Sequence, residues 1–213
     1  MKKREIVRWS AVILNLLNAV LVAVSIANYF TGSGAGNMQV GGSRCFVFFT
    51  NDSNILSAVT SLILLPFLLK KRVPRWAAAL KFVGTVSVTV TLLTVVCFLG
   101  PTQGYARMFD GVCLYLHLLC PLLSVASVYL PKYEEPLPKA SWMFGTLPVV
   151  VYGLIYYVMV VVTGRWADFY GFNRGGRWYL SLIAMFALGA LLSFLMAFLQ
   201  RKAAFRRVKK NEF

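Results

Sequence analysis

Two side chains in this sequence have the types that nucleophilic acyl transfer requires, Thr50 and His117. Thr50 offers a hydroxyl, and His117 is the only histidine of the chain, with a side chain that gains and loses a proton near neutral pH. Such a base takes the proton of the attacking hydroxyl and later returns it to the leaving group. The pair therefore predicts nucleophilic acyl transfer, if the fold brings the two side chains together.

Further polar residues surround Thr50 in the sequence or follow a later apolar stretch. A carboxylate from Asp52 or Asp168 would assist the pair, and an amide or a tyrosine hydroxyl would stabilise the oxyanion. The residues expected to line the site or to serve as these donors are Asn51, Asp52, Ser53, Asn54, Asp168, Tyr170 and Asn173.

A polar stripe around Thr50 indicates which side of its helix faces the protein interior. Its members recur at intervals of three and four residues, which places them on one helix face: Thr50, Ser53, Asn54, Ser57 and Ser61. Asp52 has a different helical phase. For Ser57 and Ser61 the favoured interpretation is small-residue packing between helices.

The composition shows why these residues must be positioned by membrane helices. Of 213 residues only 14% are charged and 59% are hydrophobic, with a mean hydropathy of +0.69. A soluble domain carries about a quarter charged residues, whereas lipid accepts an apolar surface. The net charge of +15 does not indicate nucleic acid, because the basic residues lie in blocks between apolar runs. Membrane lipids are the expected surroundings, and no nucleic-acid partner is expected.

Six apolar segments approach the ~20 residues that a membrane helix needs, and the first is too long for a signal peptide. The predicted fold is an all-α integral membrane protein, a single domain formed by a six-transmembrane-helix bundle. Its predicted spans are residues 9–30, 45–69, 77–99, 111–130, 142–162 and 178–199.

The distribution of basic residues predicts the orientation of this bundle, with the N and C termini cytoplasmic. Alternate loops carry 17 Lys and Arg residues on one side and 5 on the other. The 17 are Lys2, Lys3, Arg4, Arg8, Lys70, Lys71, Arg72, Arg75, Lys81, Lys132, Lys139, Arg201, Lys202, Arg206, Arg207, Lys209 and Lys210, and the 5 are Arg44, Arg107, Arg165, Arg174 and Arg177.

With these boundaries Thr50 and His117 lie at nearly the same depth. Thr50 lies five residues into the second span from Cys45, and His117 six residues into the fourth from Gly111. At ~1.5 Å rise per residue both are roughly 7–9 Å below the outer boundary. The spacing therefore permits the two side chains to meet.

The third outer loop, residues 163–177, mixes aromatic, charged and glycine residues. Two interpretations stay open, a structured lid over the site and an ordinary interfacial belt of aromatic residues with snorkelling arginines. The four cysteines have no metal-ligand spacing, so no metal is expected, and packing is preferred to a disulfide for them. No cofactor is expected either.

Three segments of the chain resemble a known family. They are Phe48-Phe-Thr50-Asn-Asp-Ser-Asn54-Ile-Leu, Leu116-His117-Leu-Leu-Cys-Pro121 and Trp166-Ala-Asp-Phe-Tyr170-Gly-Phe-Asn173. These resemble the androgen-induced membrane hydrolase family, and most closely its small bacterial six-helix relatives. The animal members are intramembrane threonine hydrolases that cleave fatty acid esters of hydroxy fatty acids, and here the polar run from Asn51 to Asn54 departs from their pattern.

The resemblance implies a threonine nucleophile at Thr50 and a histidine base at His117, acting on an amphiphilic acyl substrate. It also implies the plasma membrane of a bacterium as the location. An alternative from another class uses the same polar cavity without chemistry, in a non-catalytic lipid- or ligand-binding membrane protein or a small transporter. The oligomeric state is not indicated by the sequence.

Overall fold

The computed structural model describes residues 2–31, 41–129 and 136–211, with side chains from residue 5 to residue 203 outside those gaps. Leu130, the predicted end of the fourth span, and Lys132 lie outside the described residues. In the described part all regular structure is helical. The helices are α1 (Lys2–Thr31), α2 (Phe49–Leu69), α3 (Arg75–Gln103), α4 (Tyr105–Met108), α5 (Val112–Tyr129), α6 (Ser141–Val162) and α7 (Trp178–Asn211), with short 3₁₀ helices at Gly42–Val47 and Arg174–Gly176.

Six of these helices are long and apolar enough to cross a membrane, which confirms the predicted bundle at that level. Their lipid-facing character is clearest on α6, where one side of the helix is exposed and entirely apolar. A soluble protein rarely exposes so large an apolar surface, whereas lipid solvates it. The exposed side chains on α6 are Met143, Phe144, Leu147, Val151, Leu154, Ile155, Val158 and Val162.

The helix α3 lies at the centre of the bundle. It packs against α2, α5 and α6, while α1 packs against α2 and α5, and α6 packs against α7. A Cβ atom at Gly84 would lie 2.5 Å from the Thr60 hydroxyl and 3.0 Å from the Ser57 Cα, so this glycine permits the close contact between α3 and α2. Polar small residues therefore bring the helices together, as expected for membrane packing.

The second span begins later than predicted. Residues Gly42–Val47 form a 3₁₀ helix, and Phe48 has an extended backbone with φ −100° and ψ 125°, so α2 begins at Phe49. The predicted start at Cys45 is wrong because hydropathy does not distinguish an apolar 3₁₀ turn from the first turn of a membrane helix. Thr50 is consequently the second residue of α2 rather than five residues inside it.

Three helices contain a π-helical turn near the same end of the bundle: Val95–Leu99 in α3, Tyr115–Leu119 in α5 and Val158–Val162 in α6. A π-helical turn adds one residue to a helical turn and shifts the side chains that follow. Such turns occur frequently at functional sites. His117 lies at the middle of the turn in α5.

Lys81 was expected at the cytoplasmic boundary, and this expectation is wrong. Its side chain is fully buried in the first half of α3, where Nζ donates to the Ser61 Oγ at 2.7 Å and the Ser124 Oγ at 3.0 Å. Apolar flanks at 77–80 and 82–83 let the helix continue through it. Removing Lys81 from the count of 17 leaves 16 basic residues on one side against 5 on the other. The cytoplasmic location of the termini stays a prediction.

Candidate functional site

A cavity of about 310 Å³ lies at the end of the bundle that carries α4 and the loop 163–177. Both Thr50 and His117 line it, so the two side chains predicted to do chemistry face a shared space. The wall is formed by α1, α4, the segment before α2 and the loop 163–177, together with the ends of α2, α3 and α5. Its remaining lining residues are Tyr29, Phe48, Asn51, Leu99, Gln103, Arg107, Met108, Cys113, Leu116, Phe169 and Tyr170.

His117 is buried, and the Met108 backbone fixes the orientation of its ring. The His117 Nδ1 lies 2.6 Å from the carbonyl oxygen of Met108. A carbonyl oxygen can only accept, so Nδ1 carries a proton, and the neutral ring has its lone pair on Nε2. No described residue forms a hydrogen bond with Nε2. The ring therefore has the tautomer that a general base needs.

Asn54 links the backbones that carry the two predicted catalytic residues. Its Nδ2 donates to the Thr50 carbonyl at 2.7 Å and to the Leu116 carbonyl at 3.0 Å, and Leu116 precedes His117 in the π-helical turn. The predicted role of Asn54 as an oxyanion donor does not fit, because both of its hydrogens are used by these carbonyls. Asn54 instead holds α2 against α5.

Thr50 lies in the first turn of α2, where backbone N–H groups have no partner within the helix. The Phe49 N–H donates to the Tyr170 hydroxyl at 3.0 Å, so a tyrosine from the loop 163–177 caps this helix. The Tyr170 hydroxyl also lies close to the hydroxyls of Thr50 and Tyr152. Because the N-terminus of a helix attracts negative charge, an oxyanion formed at Thr50 would lie in a favourable field.

Burial raises the pKa of Tyr170 to about 12, mainly because the phenolate would lose its hydration. The hydroxyl is therefore neutral at physiological pH and keeps its proton. It accepts from the Phe49 N–H and has one O–H donor of its own. Tyr170 is the loop tyrosine best placed to donate to an oxyanion beside Thr50.

Asp168, one of the two predicted carboxylates, organises the loop and does not line the cavity. Its carboxylate accepts from the Tyr156 hydroxyl at 2.7 Å and from the Phe172 and Asn173 N–H groups at 2.8 Å each. These bonds fold the loop back over the bundle, where Phe169 packs against Phe48 with ring centroids 4.7 Å apart. The contact with the second span that a lid requires is made by Tyr170, whose hydroxyl accepts from the Phe49 N–H.

The other carboxylate, Asp52, also lies outside the cavity lining and forms no hydrogen bond with His117 among the described residues. The helical phase of Asp52 turns it away from Thr50, as its spacing indicated. The orienting partner of His117 is thus the Met108 backbone. A backbone carbonyl has no signature in a sequence, so this partner was missed.

The other predicted site residues, Asn51, Ser53 and Asn173, have three different locations. Asn51 lines the cavity, where its Nδ2 donates to the Cys45 carbonyl at 2.7 Å and its Oδ1 has no partner. The Ser53 hydroxyl is paired with the Thr91 hydroxyl at 2.8 Å and supports the contact between α2 and α3. Asn173 lies elsewhere, in the lining of a second cavity.

The second cavity is smaller, about 60 Å³, and mostly apolar, between α3, α6 and α7. Thr50, Leu99 and Tyr170 line both cavities, so they form the wall where the two meet. Most of the other residues that line the second cavity are aliphatic or aromatic, among them Val95, Val149, Tyr152, Leu182 and Met185. Thr50 therefore lies between a polar compartment and an apolar one.

The sequence did not single out Gln103, Arg107 and Met108 as site residues. All three lie near or on α4, in the short segment between the third and fourth spans. A lone arginine in a loop was the only available signal for them.

In comparisons with known proteins, no protein-family model, no curated protein and no solved structure matches this chain.

Proposed function

We propose that this protein is an intramembrane hydrolase that cleaves an ester bond in an amphiphilic lipid. One observation carries the proposal: Thr50 and His117 line the same cavity, and the Met108 carbonyl holds Nδ1 of His117, which leaves the lone pair of the neutral ring on Nε2. Most proteins contain threonine and histidine, so their presence alone indicates little. A threonine and a histidine that line one partly enclosed cavity within a membrane bundle form a more specific arrangement.

The reaction follows from the positions of these groups. The His117 Nε2 takes the proton of the Thr50 hydroxyl as its oxygen attacks the ester carbonyl. The imidazolium then protonates the alcohol as the carbon–oxygen bond breaks, which leaves an acyl group on Thr50. Water, deprotonated by His117, attacks this acyl group, and Thr50 recovers its proton as the carboxylic acid leaves.

Stabilisation of the tetrahedral intermediate is assigned to Tyr170 and the first turn of α2. The Tyr170 hydroxyl lies close to the Thr50 hydroxyl and the Thr50 N–H, and both donors would turn to the oxyanion as it forms. The low dielectric of the bundle strengthens these interactions. Removing one such donor typically lowers kcat by ~10²–10³-fold.

The resemblance to the androgen-induced membrane hydrolase family supports the same assignment and suggests a fatty acid ester of a hydroxy fatty acid as substrate. A bacterial plasma membrane is the proposed location. Lipid substrates would enter from the bilayer, with Phe169 and Tyr170 of the loop covering the cavity. Oxygen esters of long acyl chains are therefore the first substrates to test.

The test is hydrolysis of a panel of lipid esters by the purified protein in detergent or lipid nanodiscs. Thr50→Val keeps the branched shape of the side chain and removes the hydroxyl, so it should abolish cleavage, while Thr50→Ser should retain part of it. Because loss of a buried polar group also costs about 1–3 kcal/mol, each variant is compared at equal folded concentration. Full activity of folded Thr50→Val on every cleaved ester would exclude this mechanism.

A specific observation favours the alternative of a small transporter. Lys81 is fully buried, and its ammonium donates to hydroxyl groups of α2 and α5, with no carboxylate partner among the described residues. Ionisable groups inside membrane proteins often mark ion or proton paths. Proton-coupled uptake by proteoliposomes that Lys81→Met removes and Thr50→Val leaves intact would favour transport over hydrolysis.

A further inference from the structure

Arg107 is the only residue with a permanent charge among the described residues that line the two cavities. It lies on α4 and is exposed to solvent, so it is at the mouth of the larger cavity. No described residue forms an ion pair or hydrogen bond with its guanidinium. Arg107 therefore has its donors available for a ligand.

The same helix also carries the backbone carbonyl that orients the predicted base, His117. Met108, the next residue, is buried and its carbonyl accepts from His117 Nδ1. Since α4 contains only four residues, a ligand bound to Arg107 would lie close to the backbone that orients His117. Arg107 and the residue whose carbonyl orients His117 are therefore neighbours on α4.

The two cavities give the substrate a direction. Thr50 lies on the wall between them, and the lining of the smaller cavity is mostly apolar. The carbon atoms of an acyl chain next to the ester suit this mostly apolar lining. The alcohol half of the ester would then occupy the larger cavity with Asn51, Gln103 and Arg107.

We propose that Arg107 binds an anionic oxygen group, a carboxylate or a phosphate, on the leaving-group half of the substrate and thereby determines substrate specificity. A guanidinium presents two parallel N–H groups that match both of these anions. The assignment of the leaving-group half rests on the proposed function. The binding of an anionic amphiphile at Arg107 does not require that any bond be cleaved.

The kinetic test compares an acyl ester of a hydroxy fatty acid with its methyl ester, which differs only in lacking the free carboxylate. We expect Arg107→Gln to lower the ratio of kcat/KM for the acid over the methyl ester by at least ~10-fold, the usual size of a charge-assisted hydrogen bond. Arg107→Lys should keep part of the ratio. Arg165→Gln is the matched control, because Arg165 is also exposed near this end but lines neither cavity.

A binding test separates this inference from the proposed function. Affinities for a fatty acid, an alkyl phosphate and a fatty acid methyl ester of equal chain length are measured in nanodiscs with the Thr50→Val protein. Arg107→Gln should weaken binding of the anionic probes at least ~10-fold relative to the methyl ester. Their relative affinities identify carboxylate or phosphate as the preferred group.

The outcomes of the two tests are distinguishable. In one outcome the wild-type protein cleaves neither ester and still binds the anionic probes in a way that depends on Arg107. That result would contradict the proposed hydrolase and support the anion site. An unchanged ratio in Arg107→Gln, an equal loss for charged and neutral probes, or the same loss in Arg165→Gln would overturn the anion site.

Discussion

The Nδ1 of His117 and the carbonyl oxygen of Met108 are 2.6 Å apart, so a backbone group on one short helix orients the only imidazole of the protein. In many hydrolases a carboxylate performs this function and also stabilises the imidazolium. A carbonyl orients the ring equally well but carries no full charge. The base should therefore depend on the position of α4 and not on a nearby acid.

His117→Ala should lower ester hydrolysis by at least ~10²-fold, because it removes the proton acceptor for Thr50. Asp52→Asn should change kcat by no more than about twofold, since Asp52 lines neither cavity and a substitution away from such contacts has small effects. Steady-state kinetics on one lipid ester decide both. A loss in Asp52→Asn as large as that in His117→Ala would assign the orienting role to Asp52.

Tyr170→Phe should lower kcat by ~10²-fold or more while leaving KM almost constant, because the hydroxyl is proposed to act only in the transition state. Tyr152→Phe is the comparison variant, since that hydroxyl donates to the Val47 carbonyl at 2.7 Å. A smaller loss of kcat is expected for Tyr152→Phe. Equal effects of the two substitutions would indicate packing rather than oxyanion stabilisation by Tyr170.

The contribution of Tyr170 should not depend on pH between about 6 and 10. The folded pKa of about 12 lies above the ordinary value of 10, so the folded protein keeps the proton that the unfolded chain loses above pH 10. Stability linked to this group is thus constant below pH 10 and falls as pH rises from 10 towards 12. The measurement is the wild-type to Tyr170→Phe activity ratio across pH, and a decline of this ratio already at pH 8 would contradict the assignment.

Asp168→Asn should destabilise the protein by about 1.5–3 kcal/mol, the usual worth of a hydrogen bond to a charged group. An asparagine offers one acceptor oxygen where the carboxylate accepts from three donors. Thermal unfolding in detergent measures the loss. Asp110→Asn, which alters an exposed carboxylate at the same end, should shift the midpoint much less, and equal shifts would show that the Asp168 bonds do not stabilise the loop.

Hydropathy and charge predicted the six spans because a membrane helix needs only an uninterrupted apolar run. The depth of Thr50 and His117 within those runs predicted that they could meet; α2 begins later than predicted, but both residues line one cavity. The π-helical turn around His117 and the Met108 carbonyl could not be predicted, since both depend on backbone geometry set by neighbouring helices. Lys81 was misplaced for a related reason: a single basic residue near a helix end has the same sequence pattern whether lipid headgroups or buried hydroxyls surround it.

The predicted orientation is tested by reporter fusions after residues 69, 130 and 213, all of which should be cytoplasmic. A fusion within the loop 163–177 should be extracytoplasmic. The basis is the excess of basic residues on one side, 16 to 5 once Lys81 is assigned to the core. An extracytoplasmic C-terminus would invert the bundle and place the cavity at the cytoplasmic face.

The most direct test of the central claim is covalent labelling of Thr50. A fluorophosphonate reacts with an activated hydroxyl, and peptide mass spectrometry of the labelled protein identifies the modified residue. We expect one adduct on Thr50 that disappears in His117→Ala and persists in Asp52→Asn. Absence of any adduct on Thr50 in folded protein that hydrolyses lipid esters, or an adduct on another residue that inactivates it, would contradict the assignment of Thr50 as the nucleophile.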